Sequence, residues 1–541
     1  MAFNVADLFE HAVDAVGDRI AIICGDRQVT YRELDSRANR LAHHLAAHGV
    51  GRGDHVGVYS RNSIEAVEAM LAAYKLRAVS VSVNYRYTAE EVRYIVDNAD
   101  LVALVHERRY SDVVAAVAPH TPKLTGIVVV DDGSELAYDH GVDYAAALDA
   151  QSPARDFDAR SSDDLYLLYT GGTTGFPKGV MWRHEDVWRA LGGGINHVTG
   201  EYVRDEWQLA EQAAQSPVGV VLAPLSPLIH GAAQWATFIG LNSGGTLVFV
   251  PQFDADEVWR LVEQHRINAF TVVGDAMAKP LLDAYRAGDY DASSVWSISS
   301  HAALFSHALK QQYVELFPTV FITDVVGSSE SGGTGLGVVT KDADHSQGPR
   351  VRVNAHTVLV DADGELVERR PGAVGRMART GHIPLGYYKD PEKSATIFVE
   401  IAGTRYVVPG DYARYEADGT VTLLGRGSEC INTGGEKVFP EEVEGALKSH
   451  PEVVDALVIG VADERFGAAV AALVQPRAGS IDPAELDAHV RTMVAGYKAP
   501  RTYWLVAEMT RQPSGKADYP AAKKYAAEHA AQACPVRSTT L

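Results

Sequence analysis

Residues 164–184 read DLYLLYTGGTTGFPKGVMWRH, and this stretch decides the fold. The apolar residues 164–169 predict a buried strand that leads into a loop of small and hydroxyl-bearing residues. The glycines let the backbone turn tightly and approach a ligand, the threonine hydroxyls donate hydrogen bonds, and the lysine adds a positive charge. We therefore predict a loop that binds the phosphates of a nucleotide, made of Thr170, Gly171, Gly172, Thr173, Thr174, Gly175 and Lys178.

This loop differs from the phosphate loop of common NTPases, in which Gly-Lys-Ser/Thr opens a helix. Here Pro177 precedes Lys178, and Gly179 follows it. A loop of glycines and threonines taken alone is more often an ordinary turn. The complete order T-G-G-T-T-G-x-P-K-G is far more specific, and it favours nucleotide binding.

Composition narrows the class of protein. A chain of 541 residues is too long for one compact core, so we expect two or more domains. The net charge of -21 argues against nonspecific nucleic-acid binding, and a polyanionic ligand would need local clusters of basic residues. The three cysteines are widely spread, which predicts neither a disulfide framework nor a metal cluster. With no signal-peptide pattern and no apolar run of membrane-spanning length, we expect a cytoplasmic protein.

Strand-like and helix-like segments alternate through the first three quarters of the chain. His55–Tyr59 is predicted as a strand, residues 63–76 as an amphipathic helix and residues 78–83 as another strand. Thr88 and Glu91 form a capping-box pattern that predicts the start of a further helix. This alternation predicts an α/β fold with largely parallel or mixed sheets and helices between the strands.

The pattern changes near residue 350. Residues 351–360, 405–408 and 420–424 are predicted as hairpin strands, with turns at residues 363–364 and 418–419. A compact α+β unit is predicted to follow. We therefore expect a large N-terminal domain at residues 1–427, with its β-rich part at about 350–427, and a small C-terminal domain at 428–541.

The loop order resembles that of the acyl-adenylate-forming superfamily, which contains acyl-CoA synthetases, peptide-synthetase adenylation domains and luciferases. The resemblance covers the chain from residue 30 to residue 516, and it implies a small C-terminal domain that moves. The family's second signature resembles VGSSE at residues 326–330. By this resemblance Glu330 holds Mg²⁺ and Ser329 contacts the α-phosphate of ATP, while Val326 replaces the aromatic residue expected to stack on adenine.

Further segments resemble the family's nucleotide-binding elements. Asp324 matches the polar residue that meets the adenine amino group, and Ser300 begins SHAA, where the family places an adenine-binding turn. YVVPGDY at residues 406–412 resembles W-x-x-T-G-D, which implies that Asp411 binds the ribose hydroxyls. Arg426 matches the arginine that precedes the family's hinge and would bind ribose or phosphate.

The C-terminal segments imply a domain that serves two steps. Ser428 stands at the family's hinge position, and Gly434 and Gly435 of NTGGEKV would line a narrow tunnel for the CoA thiol. RQPSGK at residues 511–516 resembles the ending that carries the family's catalytic lysine, here Lys516. By resemblance, His230 gates or lines the acyl pocket. The predicted catalytic residues are therefore Lys516, Lys178 and His230.

These features predict an ATP-dependent carboxylic acid–CoA ligase that forms acyl-AMP and uses ATP, Mg²⁺ and CoA. The sequence is most similar to actinobacterial synthetases that activate steroid side-chain carboxylates, which implies a bulky apolar acid. The alternatives are a medium- or long-chain fatty acyl-CoA synthetase, an enzyme that loads acyl groups onto a carrier protein, and a nucleotide-binding protein without turnover. The sequence leaves the oligomeric state open, including a homo-oligomer.

Overall fold

The computed structural model describes most of the chain. The described residues are 3–137, 140–170, 176–191, 193–194, 201–301, 305, 307–339, 350–361, 363–426, 431–438, 440–448, 450–477, 479–510 and 518–536.

The described residues form five sheets, four of which lie in the large N-terminal part. An eight-stranded sheet has the strand order Gly332–Val339, Phe321–Ser328, Ser297–His301, Ala269–Val272, Val221–Pro224, Thr246–Phe249, Ile20–Cys24 and Arg27–Thr30. A five-stranded parallel sheet has the order Val79–Ser82, His55–Tyr59, Leu101–Glu107, Gly126–Val130 and Val142–Asp143. A three-stranded antiparallel sheet has the order Gly386–Tyr387, Lys178–Arg183 and Leu165–Thr170.

The other two sheets lie in the last third of the chain. A seven-stranded antiparallel sheet contains Arg350–Val351, Val421–Arg426, Asp411–Tyr415, Val374–Arg379, Thr404–Val407 and Phe398–Ile401 in order, with Thr357–Val360 paired to Val374–Arg379. The C-terminal sheet contains Glu436–Val438, Ile431–Thr433, Gly467–Pro476, Thr502–Leu505 and Cys534–Pro535, with Val453–Asp463 paired to Gly467–Pro476.

Helices cover the faces of these sheets. Those of the N-terminal part are Val5–Val16, Tyr31–Ala47, Ile64–Lys75, Ala89–Asn98, Ser111–Val117, Tyr144–Asp149, His184–Leu191, Gln208–Gln215, Gly231–Asn242, Ala255–His265, Gly274–Ala287, His307–Leu316 and Pro391–Ile397. Those of the C-terminal part are Pro440–Lys448, Pro483–Met493 and Tyr519–Glu528, and short 3₁₀ turns lie at Arg108–Tyr110, Ala118–His120 and Ala530–Gln532. Among the described residues, no helix is long and apolar enough to cross a membrane.

Local sequence signals account for many of these elements. His55–Tyr59 is buried along its whole length, as an inner strand of a parallel sheet must be. The capping box of Thr88 and Glu91 is present, and the helix Ala89–Asn98 follows it.

The predicted α/β fold class is confirmed. Residues 351–360, predicted as one strand, instead form two strands that are separated by a turn ending at Thr357.

The interior of the N-terminal part contains a buried cation. The side chain of Lys75 is fully buried, and its ammonium group donates to Glu10 and, at 2.7 Å, to Asp35. Arg160 and Arg155 reach the same two carboxylates from nearer the surface. Burial alone would raise the pKa of Asp35, but Lys75 and Arg155 outweigh it and lower that pKa. The first helix is thus joined to the core by charge as well as by apolar packing.

We predict that Lys75→Met lowers the free energy of unfolding by about 3 kcal/mol, because two buried carboxylates lose a partner and Arg155 and Arg160 compensate only in part. Urea denaturation followed by circular dichroism measures this. Lys123→Met is the matched control, since its ion pair with Asp100 is largely exposed and contributes under about 1 kcal/mol. Equal stability losses in the two variants would contradict the proposed role of Lys75.

Candidate active site

A cavity of about 1070 Å³ lies between the large N-terminal part and the C-terminal unit. The carboxyl ends of the strands Ala269–Val272, Ser297–His301 and Phe321–Ser328 open into it. The C-terminal unit closes the opposite side with the strands Ile431–Thr433 and Glu436–Val438 and with Lys498. Ligand sites of α/β proteins form at this edge of the sheet, because side chains from several strands converge there.

The predicted phosphate loop joins two antiparallel strands at one end of this cavity. Thr170 ends one strand and lies opposite Lys178, which begins the next. Thr170 lines the cavity. The predicted residues Gly171, Gly172, Thr173, Thr174 and Gly175 lie outside the described residues, so their roles stay predictions.

The loop's lysine is connected to Glu330 through Tyr387. The Lys178 ammonium pairs with the Asp390 carboxylate and lies 5.8 Å from the centre of the Tyr387 ring. The Tyr387 hydroxyl donates to Glu330 Oε1 at 3.0 Å. The bond from Lys178 lowers the pKa of Asp390, which keeps this carboxyl charged at neutral pH. Tyr387 therefore has a positive group near its ring and a carboxylate bound to its hydroxyl.

Glu330 and Ser329 lie in the turn between the strands Phe321–Ser328 and Gly332–Val339. The turn is tight, because a Cβ on Gly327 would lie 2.2 Å from the carbonyl oxygen of Gly332. Trp182 Nε1 donates to the Ser329 carbonyl at 3.0 Å and fixes the turn against the small antiparallel sheet. Ser329 lines the cavity, whereas Glu330 is 8% exposed and lies behind that wall, beside Tyr387.

The two predicted adenine contacts differ in position. Asp324 lines the cavity, and its buried carboxylate pairs with the ammonium group of Lys310. Ser300 is 1% exposed and is absent from the cavity wall that the described residues form. Its strand neighbours Ser299 and His301 face the cavity instead, as the alternation of a strand requires. Any contact of Ser300 with a nucleotide would therefore come from its backbone.

The predicted ribose residues lie on paired strands. Asp411 lines the cavity, and it lies opposite Arg426 in the register of Asp411–Tyr415 with Val421–Arg426. The pairing brings both positions to the same end of the seven-stranded sheet. The Arg426 side chain, and all atoms of Ser428 and Lys516, lie outside the part of the chain that the structure describes, so their roles stay predictions.

His230 meets the C-terminal unit across the cavity. Its Nε2 lies 3.0 Å from Glu436 Oε1, and the guanidinium group of Arg86 binds the same carboxylate. Burial alone would raise the pKa of Glu436, but His230, Arg86 and Lys498 outweigh it and lower the pKa to about 2. A carboxyl with a lowered pKa keeps its contribution at and above its ordinary range and loses it only as the pH falls towards 2. The Glu436 carboxylate is therefore ionised throughout the neutral range, and it pairs with the permanent charge of Arg86.

Lys498 is a second link between the two parts. Its Nζ donates to Glu91 Oε1 at 2.7 Å and lies 5.1 Å from the centre of the Tyr87 ring. Both charged side chains are nearly completely buried. Lys498 also lines the cavity, so this link borders the space where a ligand would lie.

The two predicted tunnel glycines lie directly on the N-terminal part. Gly434 and Gly435 both line the cavity and have φ angles of 58° and 85°, a region that favours glycine. A Cβ on Gly435 would lie 2.0 Å from Val273 Cγ1, which is closer than any tolerated contact. This loop can therefore reach its position only without a side chain at residue 435.

The far end of the cavity reaches the protein surface. The helix Gly231–Asn242 forms one wall through Trp235, Ala236 and Ile239. Trp296 and Phe321 also line the cavity, at the amino ends of their strands, and they are 50% and 42% exposed. The space thus runs along the length of these strands, from Thr170 to an aromatic rim.

Motif reading did not find several of the residues described above. Asp390, Tyr387, Trp182, Lys310 and Glu436 each contact a predicted site residue. Glu436 follows the predicted tunnel glycines in NTGGEKV, so its position could have indicated it. The other four carry no signal of their own in the sequence.

Comparison with known proteins places the chain in a family. Residues 9–388 match the AMP-binding enzyme family, and residues 442–516 match the AMP-binding enzyme C-terminal domain. The chain belongs to the AMP-binding enzyme family. The predicted superfamily and the predicted class of enzyme, an acyl-CoA synthetase that uses ATP and CoA, are confirmed.

Curated relatives match along almost their whole length. The chain is 55% identical to a 3-oxocholest-4-en-26-oate–CoA ligase of Rhodococcus rhodochrous, over 97% of this chain and 96% of that one. It is 54% identical to a medium/long-chain-fatty-acid–CoA/3-oxocholest-4-en-26-oate–CoA ligase of Mycolicibacterium smegmatis, over 98% of both chains. It is 40% identical to the medium-chain acyl-CoA ligase Mig of Mycobacterium avium, over 97% of this chain and 98% of that one.

Solved structures share the fold. The amide bond synthetase McbA from Marinactinospora thermotolerans has a TM-score of 0.81 at 23% identity, with 96% of this chain and 99% of that one covered. The o-succinylbenzoate CoA synthetase MenE from Bacillus subtilis has a TM-score of 0.78 at 22% identity, with 96% and 98% covered. These likenesses concern the fold of the complete two-part chain.

We predict that Gly435→Ala lowers the rate of thioester formation from supplied acyl-AMP and CoA at least tenfold, because the new methyl group would overlap Val273 and strain the backbone. Product chromatography measures this rate. Gly467→Ala is the matched control, since Gly467 has a similar φ of 75° in the same unit but no atom within 4 Å of its Cβ position. Equal losses in both variants would show that backbone strain alone, and not the contact with Val273, limits the reaction.

Proposed function

We propose that this protein is an ATP-dependent acid–CoA ligase for a bulky apolar acid, most specifically a sterol that carries a side-chain carboxylate. The observation that carries the proposal is one continuous cavity that has the phosphate-loop strands at one end, an extension along the sheet towards Trp235, Trp296 and Phe321, and the Gly434–Gly435 loop on the opposite side. The names of the relatives with about 55% identity support the same class of acid.

In the first step, the substrate carboxylate attacks the α-phosphorus of ATP in line, and acyl-AMP and pyrophosphate form. Lys178 and the phosphate loop hold the negative phosphates, and Lys516 stabilises the charge that develops at phosphorus. Asp411 and Arg426 hold the ribose. The enzyme acts mainly by positioning its substrates and by neutralising charge.

Glu330 is the residue that would hold Mg²⁺. A carboxylate oxygen is the type of donor that this hard cation prefers, so the residue present fits the ion. Among the described residues, no three or more acidic, histidine or cysteine side chains lie together as a metal site. Bound Mg²⁺ would supply positive charge to the phosphates of ATP.

In the second step, the CoA thiol attacks the acyl carbonyl carbon, and AMP leaves as the thioester forms. The Gly434–Gly435 loop and His230 line the cavity, and Glu436 binds His230 there. In our proposal the loop borders the path of the thiol, and His230 would lie beside the reacting carbonyl. Rotation of the C-terminal unit about Ser428 would exchange Lys516 for this loop between the steps. We also propose a cytoplasmic location, which the wide spacing of the three cysteines in the sequence supports.

The substrate class is tested by comparing kcat/KM for 3-oxocholest-4-en-26-oate with that for straight-chain acids of medium and long length, using purified enzyme with ATP, Mg²⁺ and CoA. We expect at least a tenfold preference for the sterol acid, because its rings bury more apolar surface in a wide cavity. A preference for straight-chain acids would reject the sterol proposal and support the fatty-acid alternative. Release of AMP without any need for CoA would reject the ligase reaction itself.

We predict that Glu330→Gln raises the Mg²⁺ concentration needed for half-maximal acyl-AMP formation at least fivefold, because a neutral amide binds the ion more weakly. A magnesium titration of pyrophosphate release measures this. Glu400→Gln, which changes an exposed carboxylate elsewhere, is the control and should leave the titration unchanged. An unchanged midpoint in Glu330→Gln would remove this residue from the metal site.

A further inference from the structure

A buried arginine lies behind the cavity wall without a carboxylate partner. Arg379 ends the strand Val374–Arg379 and is 1% exposed. Among the described residues, its guanidinium group forms no ion pair, and the ionisable groups that interact with its charge are Tyr202 and His356. A charge moved from water into the interior is costly unless an opposite charge compensates it. The burial of Arg379 therefore indicates an anion that these residues do not supply.

The guanidinium group holds the turn that carries Ser329 and Glu330. Its Nη1 donates to the carbonyl oxygen of Ser331 at 3.0 Å and to that of Gly333 at 2.5 Å. The carboxylate of this turn, Glu330, binds the Tyr387 hydroxyl instead of Arg379. Arg379 thus restricts the conformation of the segment that carries the proposed phosphate and magnesium ligands.

Only the turn separates this charge from the cavity. Gly332 and Gly333 line the cavity, and Ser329 lines it three residues before Gly332. A Cβ on Gly332 would lie 3.0 Å from Arg379 Nη1 and 3.3 Å from Leu191 Cδ1, and the φ of 67° at this residue favours glycine. The lack of a side chain at residue 332 therefore lets the guanidinium group approach the cavity wall from behind.

The charge of Arg379 changes the electrostatic character of this wall. The two carbonyl oxygens that it binds carry partial negative charge, which would repel an anion in the cavity. The guanidinium group offsets both oxygens, and its field is screened less in the interior than in water. Burial lowers the pKa of Arg379 to about 10, so the group stays charged at neutral pH.

We propose that Arg379 is a positioning residue for the nucleotide phosphate, and that its buried charge favours the phosphate group of ATP and of acyl-AMP through the turn at residues 329–333. The inference rests on the proposed function, because it takes Ser329 as the contact of the α-phosphate. Arg379 does not touch the ligand, in contrast to the proposed contacts of Lys178 and Lys516. The bound phosphate is the anion that compensates the buried guanidinium group.

The test measures the Kd of AMP and of adenosine by isothermal titration calorimetry, because these two ligands differ only in the phosphate. Arg379→Gln removes the charge and keeps a donor for the carbonyl oxygens. We expect its Kd for AMP to rise about tenfold, as for the loss of one interaction with a charged group, while its Kd for adenosine stays within about twofold of the native value. Arg379→Lys keeps a positive charge and should recover most of the AMP affinity.

Stability separates this role from a purely structural one. In urea denaturation, Arg379→Gln should unfold close to the native midpoint, because a neutral side chain removes the cost of a buried charge without a counter-ion. A structural arginine would give the opposite result, with lower stability and equal weakening of both ligands. If Arg379→Gln does not fold, Gly332→Ala gives an independent measurement, since its methyl group would displace the guanidinium group and should again weaken AMP more than adenosine.

Arg376→Gln is the matched control. Arg376 lies on the same strand, and its Nη2 donates to the Asp361 carbonyl at 3.1 Å, away from the turn. This variant should keep the native Kd for both ligands. Unchanged AMP affinity in Arg379→Gln, or equal weakening of AMP and adenosine, would overturn the inference and leave the ligase proposal standing. Failure of the native protein to bind either ligand would instead reject the proposed function.

Discussion

The charged contact of Glu436 with His230 and Arg86 is the interaction on which the arrangement of the site depends. It joins the C-terminal unit to two separate segments of the large N-terminal part, and it does so at the wall of the cavity. Removing one partner from this partly buried charge cluster is costly, so the carboxylate favours a single docked position of the unit. That position places Gly435 against Val273 and encloses the cavity.

The same docked position explains why glycine is needed at residue 435. A side chain at residue 435 would overlap the N-terminal part, and the contact of Glu436 could then not form at its present distance. The ionic contact of Glu436 and the lack of a side chain at Gly435 therefore stabilise the same docked position from adjacent residues. The buried pair of Lys498 and Glu91 adds a second point of attachment, so two separate charged contacts define this docked position.

Local patterns predicted the elements of the fold well, because short-range periodicity and capping determine them. The strand His55–Tyr59 and the helix that follows Thr88 are examples. The motifs also predicted which residues belong to the site. They could not predict the side chains that bind those residues, because Asp390 lies 212 residues after Lys178 and Glu436 lies 206 residues after His230.

The central claim is that one cavity serves two reactions with different residues of the C-terminal unit. The most direct measurement compares Lys516→Ala and Glu436→Gln in the two half-reactions, acyl-AMP formation from acid and ATP, and thioester formation from supplied acyl-AMP and CoA. The account predicts a crossed result, in which Lys516→Ala loses the first reaction and keeps the second, and Glu436→Gln does the reverse. Parallel losses of both half-reactions in both variants would contradict it.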